Sequence, residues 1–157
     1  MFISHIRKTV GFWDIGEMGF SRDKKIIMKN YKGVIIEESL ENTDVLSKVR
    51  IVRTKVEKVT KKHKTPWIKE WTLHTVHIPE KKAASIAKKL SKSLDSKHSW
   101  YADFKNKKTH FIIFRNKIFK IDRSSREEYE KATKYGVSLG IPSYQVNFAP
   151  NVIKWER

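Results

Sequence analysis

The run HSWYADFKNKKTHFIIFRNKIFKIDR, residues 98–123, constrains the fold of this chain more than any other stretch. Apolar and polar side chains alternate in three short segments, and the tripeptides NKK and RNK separate these segments with residues typical of turns. Alternation with a period of two is typical of strands, and tight turns between strands join antiparallel neighbours. The run therefore predicts a three-stranded antiparallel meander.

Longer strand patterns precede this meander. Residues 45–59 and residues 67–78 are rich in β-branched side chains and alternate in polarity, with an irregularity near Arg53 that indicates a β-bulge. Further upstream, KKIIMKNYKGVIIEE has two short apolar runs around the segment 30–33 and predicts a hairpin. Strands therefore dominate the first half of the predicted domain.

Two segments have the pattern of helices. Pro79 stands at a favourable first position, and apolar residues recur after it on one helical stripe. Ser125 and Glu128 have capping-box spacing, which predicts a second helix that ends at Gly136. Antiparallel strands interspersed with two helices predict an α+β fold, with a single mainly antiparallel sheet and two helices packed on one face.

Composition divides the chain into three parts. Residues 1–33 mix aromatic rings with glycines and predict an N-terminal extension or hairpin. Residues 34–150 contain the strand and helix patterns and predict one α+β domain, and residues 151–157 form a C-terminal tail. A chain of 157 residues can bury the core of one domain without disulfides or metals.

The absence of cysteine excludes disulfides, thiolate zinc sites and thiol nucleophiles. No run approaches the length of about 18 apolar residues that a membrane span needs, and the first residues lack the apolar run of a signal peptide. The phosphate-binding patterns G-x-x-x-x-G-K-[ST] and G-x-G-x-x-G are also missing. We therefore expect a cytoplasmic protein with no membrane contact and no cofactor.

The net charge of +17 is the strongest compositional signal. Basic domains attract polyanions because lysine and arginine release counterions when they contact phosphates, so nucleic acid is the first partner to consider. Only 8 of the 34 basic residues are arginine, the residue that reads bases in bidentate fashion, so we expect binding without sequence specificity. An AT-rich genome, which favours lysine codons, would produce the same bias without selection for binding.

The lysines that we predict to contact nucleic acid lie on the first helix and in the meander. They are Lys81, Lys82, Lys88, Lys89, Lys92, Lys105, Lys107 and Lys108. The five on the helix gather opposite its apolar stripe, which fits a phosphate-contacting face or a solvated face of a packed helix.

A second group of candidates comes from polar residues of the meander. The candidate catalytic residues are His98, Asp103 and His110, and the candidate ligand-binding residues are Tyr101, Arg115 and Lys117. If they converge on an open face, they could bind a phosphate-containing small molecule and move a proton. The alternative, which we favour, is a set of cross-strand pairs in which Asp103 satisfies a lysine or a histidine.

Metal binding is not expected. His74 and His77 are the only closely spaced histidines, and residues three apart in a strand point to opposite faces. They cannot chelate one ion, so we predict no metal site.

Three phrases resemble a family of small bacterial proteins that has no known activity. They are TPWIKEWTLHTVHIPE, SKSLDSKHSWYADFKNKKTHFIIFRNKIFKIDR and YGVSLGIPSYQVNFAP, and the resemblance covers roughly residues 34–150. It implies no catalytic residues and no cofactor.

These observations favour a binding protein over an enzyme. We expect a polyanion, RNA or DNA, as the ligand. Two alternatives stay open, which are a protein-interaction or inhibitor module with an acidic partner and an enzyme acting on a phosphate-containing small molecule.

Overall fold

The computed structural model describes residues 29–149, which form one antiparallel sheet and two α-helices. The strands are β1 (Tyr31–Ile36), β2 (Arg50–Lys58), β3 (Glu70–Ile78), β4 (Tyr101–Lys105), β5 (Thr109–Phe114) and β6 (Lys117–Asp122). The helices are α1 (Glu80–Ser93) and α2 (Arg126–Ser138). The strand order is β2-β3-β1-β4-β5-β6, and every neighbouring pair is antiparallel. The predicted α+β class with a single antiparallel sheet and two helices is confirmed.

The strand predicted over residues 45–59 begins later than the sequence pattern indicated. Residues Asp44–Lys48 form a 3₁₀ helix, and β2 starts only at Arg50. Asn42 Oδ1 accepts a hydrogen bond from the Asp44 amide at 2.9 Å, and such local side-chain bonds compete with strand pairing. The predicted bulge is present, since the pairing of β2 with β3 shifts register between Ile51 and Arg53.

Helix α1 follows Pro79 as predicted. Its apolar stripe is buried and consists of Ala83, Ile86, Ala87 and Leu90. The five lysines of the opposite face are exposed. Burial of the stripe against the sheet stabilises the helix more than its propensity does.

Helix α2 begins at the predicted cap but continues through Gly136, the residue predicted to end it, as far as Ser138. The Ser125 hydroxyl accepts a hydrogen bond from the Glu128 amide at 3.2 Å. Gly136 lies inside the helix, packed against Val146, and the chain leaves the helix at Gly140, which has a φ of +88°. The left-handed conformation that glycine favours therefore occurs after the helix rather than within it.

The two helices pack on opposite faces of the sheet, which corrects the prediction of one shared face. Alternate residues of β5 separate into two clusters: Phe111 and Ile113 pack in the core that contains α1, and Ile112 and Phe114 pack in the core that contains α2. Alternate side chains of a strand point to opposite faces. The face that α1 covers is called the α1 face below, and the other the α2 face.

Strand β1 lies inside the sheet, between β3 and β4. Residues 31–33, which the sequence pattern assigned to the N-terminal extension, therefore belong to the sheet. The first strand of the predicted hairpin and the tail over residues 151–157 lie outside the described residues.

Candidate nucleic-acid interface

Four basic side chains form a row across the α2 face. Arg50 of β2 pairs with His77 of β3, His77 pairs with Lys32 of β1, and Lys32 pairs with Lys105 of β4. Directly paired residues of neighbouring strands point to the same face. Strands are about 4.8 Å apart, so this basic row extends for about 14 Å across four strands.

The charges of the basic row repel one another. Partial burial, followed by the positive charges of Lys32 and Arg50, lowers the pKa of His77 below its usual value of 6.5. Burial also lowers the pKa of Lys32. Within residues 29–149, no ion pair neutralises any member of the row. A bound anion would relieve this repulsion.

Further lysines lie at the same end of the sheet. Lys107 and Lys108 occupy the β4–β5 turn, and Asn106 of this turn donates a hydrogen bond to the Lys29 carbonyl at 2.9 Å. Lys81 and Lys82 lie in the first turn of α1, which starts where β3 ends. We call this region, together with the basic row, the basic end of the sheet.

The eight lysines predicted to bind nucleic acid do not form one surface. Five of them belong to the basic end, namely Lys81, Lys82, Lys105, Lys107 and Lys108. Lys88, Lys89 and Lys92 lie further along α1, which rises by about 1.5 Å per residue. Their nucleic-acid contacts stay a prediction.

Three members of the basic row were not predicted from the sequence as binding residues. Arg50, His77 and Lys32 are far apart in the sequence, and only the pairing of β2, β3 and β1 brings them together. The sequence pattern indicates which face of its own strand each residue occupies, but it does not indicate the order of the strands in the sheet.

The candidate catalytic residues Asp103 and His110 form a buried pair under α2. His110 is 1% exposed, and its Nε2 lies 2.8 Å from Asp103 Oδ2, while its Nδ1 lies 3.0 Å from the Tyr129 hydroxyl of α2. Burial raises the pKa of Tyr129; Arg123 opposes this rise, and Asp103 adds to it. The network has the parts of a proton relay, but a histidine so deeply buried cannot contact a substrate unless α2 moves.

His98 and Tyr101 lie apart from this pair and line a cavity of about 260 Å³ on the α2 face. The His98 ring is 2.6 Å from the Asp95 carboxylate and stacks on Trp67, with ring centroids 3.9 Å apart. Burial opposes ionisation of Asp95, but the Lys97 amide and His98 outweigh it, so the pKa of Asp95 is lowered. We call this space, which Trp67, Trp71 and Trp100 also line, the aromatic cavity.

Arg115 and Lys117 occupy a third location, at the β5–β6 turn. Arg115 contacts the Glu41 carboxylate and the backbone carbonyl of Leu94, just beyond α1. Lys117 is exposed, with its ammonium group 5.2 Å from the centre of the Phe119 ring. The six meander candidates therefore occupy three separate places, and their roles in catalysis or ligand binding stay predictions.

His74 tethers the loop after β1 to the sheet. Its Nε2 lies 2.6 Å from Glu37 and its Nδ1 lies 2.8 Å from the Thr54 hydroxyl. His74 points to the α1 face and His77 to the α2 face, as the strand period predicts. Among residues 29–149, no group of three or more potential ligands could hold a metal ion, and neither helix is long and apolar enough to cross a membrane.

Comparison with known proteins found no similar protein. The chain matches no protein-family model, no curated protein and no solved structure.

Proposed function

We propose that this protein binds nucleic acid without sequence specificity, and that the basic row is the centre of the contact. The observation that supports the proposal is the alignment of Arg50, His77, Lys32 and Lys105 on one face of four adjacent strands. Three of these residues, Arg50, Lys32 and Lys105, are cations at neutral pH. An extended row of cations suits the repeating charge of a phosphate backbone, because each contact releases counterions.

The surroundings of the row support a polyanion more than a small anion. The basic end adds Lys29, Lys81, Lys82, Lys107 and Lys108 to the row. The nearby acidic residues are Glu80, Asp122 and Asp103, and Asp103, which shares a face of β4 with Lys105, pairs with His110. Several separated cations without a closed pocket favour a ligand with many charges. Lysine predominates, which fits contacts with phosphates rather than with base edges.

The first test removes three charges from the basic row. The triple variant replaces Lys32, Arg50 and Lys105 by glutamine. For a single-stranded oligonucleotide, log affinity falls with log salt by about 0.7 per phosphate contact, so this variant should make the slope less steep by about 2. Fluorescence anisotropy with a labelled 20-nucleotide oligothymidine and with a 20-base-pair duplex, over a range of salt concentrations, measures the slope.

The matched control removes three charges from α2. Arg126→Gln, Lys131→Gln and Lys134→Gln change the net charge equally, at exposed positions on α2. This control should keep most of the wild-type slope. Equal slopes for the two triple variants would show that net charge alone drives binding and would contradict the proposed site. A wild-type affinity that is independent of salt would reject nucleic-acid binding and favour an acidic protein partner.

The second test follows the protonation of His77. In the free protein, burial lowers the pKa of His77, and the charges of Lys32 and Arg50 lower it further. A phosphate on the basic row would offset these charges. Bound nucleic acid should therefore raise this pKa. Because the bound form then takes up a proton, affinity should increase as the pH falls from about 7.5 to about 5.5. An NMR titration of the His77 ring, with and without oligothymidine, measures the change.

The variant His77→Gln provides the control for this experiment. It should remove the part of the pH dependence that comes from the basic row and leave the salt slope at pH 7.5 nearly unchanged. A His77 pKa that does not move at saturating oligonucleotide would place the ligand elsewhere.

A further inference from the structure

The aromatic cavity lies on the same face of the sheet as the basic row. Trp71 of β3 lines the cavity and His77 of β3 belongs to the row, and the two residues have the same strand parity. Six residues of strand separate them, which is about 20 Å. Arg53, Lys55 and Glu57 of β2 project from the same face between the two sites, and Lys55 pairs with Glu57 at 2.9 Å.

Trp67 is the most unusual side chain of the cavity. It is 46% exposed, although a tryptophan of a folded protein usually buries most of its surface. Its ring is held nearly parallel to the His98 ring, at an interplanar angle of 10°, and the Asp95 carboxylate fixes His98 in turn. His98 thus covers one face of the indole and holds the ring in place, and about half of the Trp67 surface remains accessible.

Basic residues lie in the loop that borders the cavity. Lys64 lines the cavity, and Lys61 and Lys62 are exposed in the short 3₁₀ helix Lys61–His63. Tyr144 and Gln145 both donate hydrogen bonds to the Lys62 carbonyl, at 2.6 Å and 3.0 Å, and so attach this basic loop to the segment after α2. An aromatic surface with lysines beside it is the combination that binds unpaired bases, through stacking and phosphate contacts.

The cavity is small, which favours a ligand with one ring system over a larger molecule. Pockets for drug-sized ligands have volumes of about 300–1,000 Å³, and the aromatic cavity measures about 260 Å³. A paired base within a duplex has no free face for an indole, whereas a base of a single strand can be splayed out.

We propose that the aromatic cavity binds an unpaired nucleobase, stacked on Trp67, of a single strand whose backbone continues toward the basic row. This inference rests on the proposed function and adds a preference for single-stranded over double-stranded nucleic acid. The basic row then contributes affinity for both single-stranded and double-stranded nucleic acid, and stacking on Trp67 contributes the preference for the single strand.

The test compares Trp67→Ala with Trp67→Phe on the 20-nucleotide oligothymidine and the 20-base-pair duplex. Loss of one stacked base costs about 1–3 kcal/mol, so Trp67→Ala should weaken oligothymidine binding about fivefold to 150-fold and leave duplex binding unchanged. Trp67→Phe retains a ring and should restore most of the affinity. The salt slope should stay at the wild-type value in both variants, since stacking releases no counterions.

Val137→Ala is a control for the loss of exposed apolar surface, because Val137 is exposed on α2. A second variant, Lys64→Gln, tests the inference if Trp67→Ala does not fold. Its plot of log affinity against log salt should be less steep by about 0.7 for oligothymidine and unchanged for the duplex. Equal effects of Trp67→Ala on both ligands, or no effect on either, would overturn this inference. The proposed function would still be tested separately by the charge variants of the basic row. If the wild-type protein bound neither ligand, the proposed function itself would fail.

Discussion

Replacing Gly33 by alanine should destabilise the fold by about 4–5 kcal/mol, which is a large part of the stability of a typical domain. Gly33 lies in the central strand β1, opposite Phe104 of β4. An added Cβ would overlap the backbone carbonyl oxygen of Asp103 and lie 2.6 Å from Phe104 Cβ. Both obstacles belong to the backbone or its first side-chain atom, so strands β1 and β4 would have to separate. Urea denaturation followed by circular dichroism measures the loss.

Gly140→Ala is the matched control for this substitution. Gly140 has a φ of +88°, but nothing lies within 4 Å of an added Cβ. The control therefore tests the cost of backbone conformation alone, which we expect to be about 1 kcal/mol. A Gly33 variant as stable as the Gly140 variant would mean that β1 and β4 lie further apart than the structure shows.

Much of the local structure was predictable because its signal lies within short windows. The apolar stripe after Pro79 and the cap at Ser125 specify helices through contacts between residues three or four apart. The meander was predictable for the same reason, since its turns are tight and its strands pair with their immediate neighbours. Such features need no knowledge of the rest of the chain.

The prediction that both helices pack on one face of the sheet was wrong, although the sequence contains a pattern that indicates two covered faces. Four consecutive apolar residues, Phe111–Phe114, occupy β5, and all four are buried. A strand with one solvated face alternates, whereas a continuous apolar run indicates burial on both faces. That run favours helices on both sides of the sheet over the single covered face that was predicted.

The candidate sites show why proximity in sequence is a poor guide to a site. Tyr101 and Asp103 share a face as predicted, yet Tyr101 donates a hydrogen bond to the Gln145 carbonyl at 2.7 Å beside the aromatic cavity, while Asp103 pairs with His110 under α2. The basic row shows the converse, because its members come from four strands. Sheet order is set by long-range pairing, which a single sequence does not reveal.

The buried pair of Asp103 and His110 leads to the second prediction with a large effect. His110→Ala should lower the free energy of unfolding by about 3–5 kcal/mol, because it leaves a cavity and deprives the buried Asp103 carboxylate of its histidine partner. It also removes the contact of the Tyr129 hydroxyl with the ring. Chemical denaturation at pH 7 measures this loss without any ligand or substrate.

His77→Ala supplies the matched control, since it deletes an exposed imidazole from the same sheet. Burial, followed by the charges of Lys32 and Arg50, lowers the pKa of His77. At pH 7 its removal therefore takes away no stabilising charge interaction. We therefore expect a change in stability within about 0.5 kcal/mol. A double-mutant cycle with Asp103→Asn should then give a coupling energy of about 0.5–3 kcal/mol between Asp103 and His110. If His110→Ala were as stable as His77→Ala, the pair would contribute little to the fold, and the expected role of His110 in stability would be wrong.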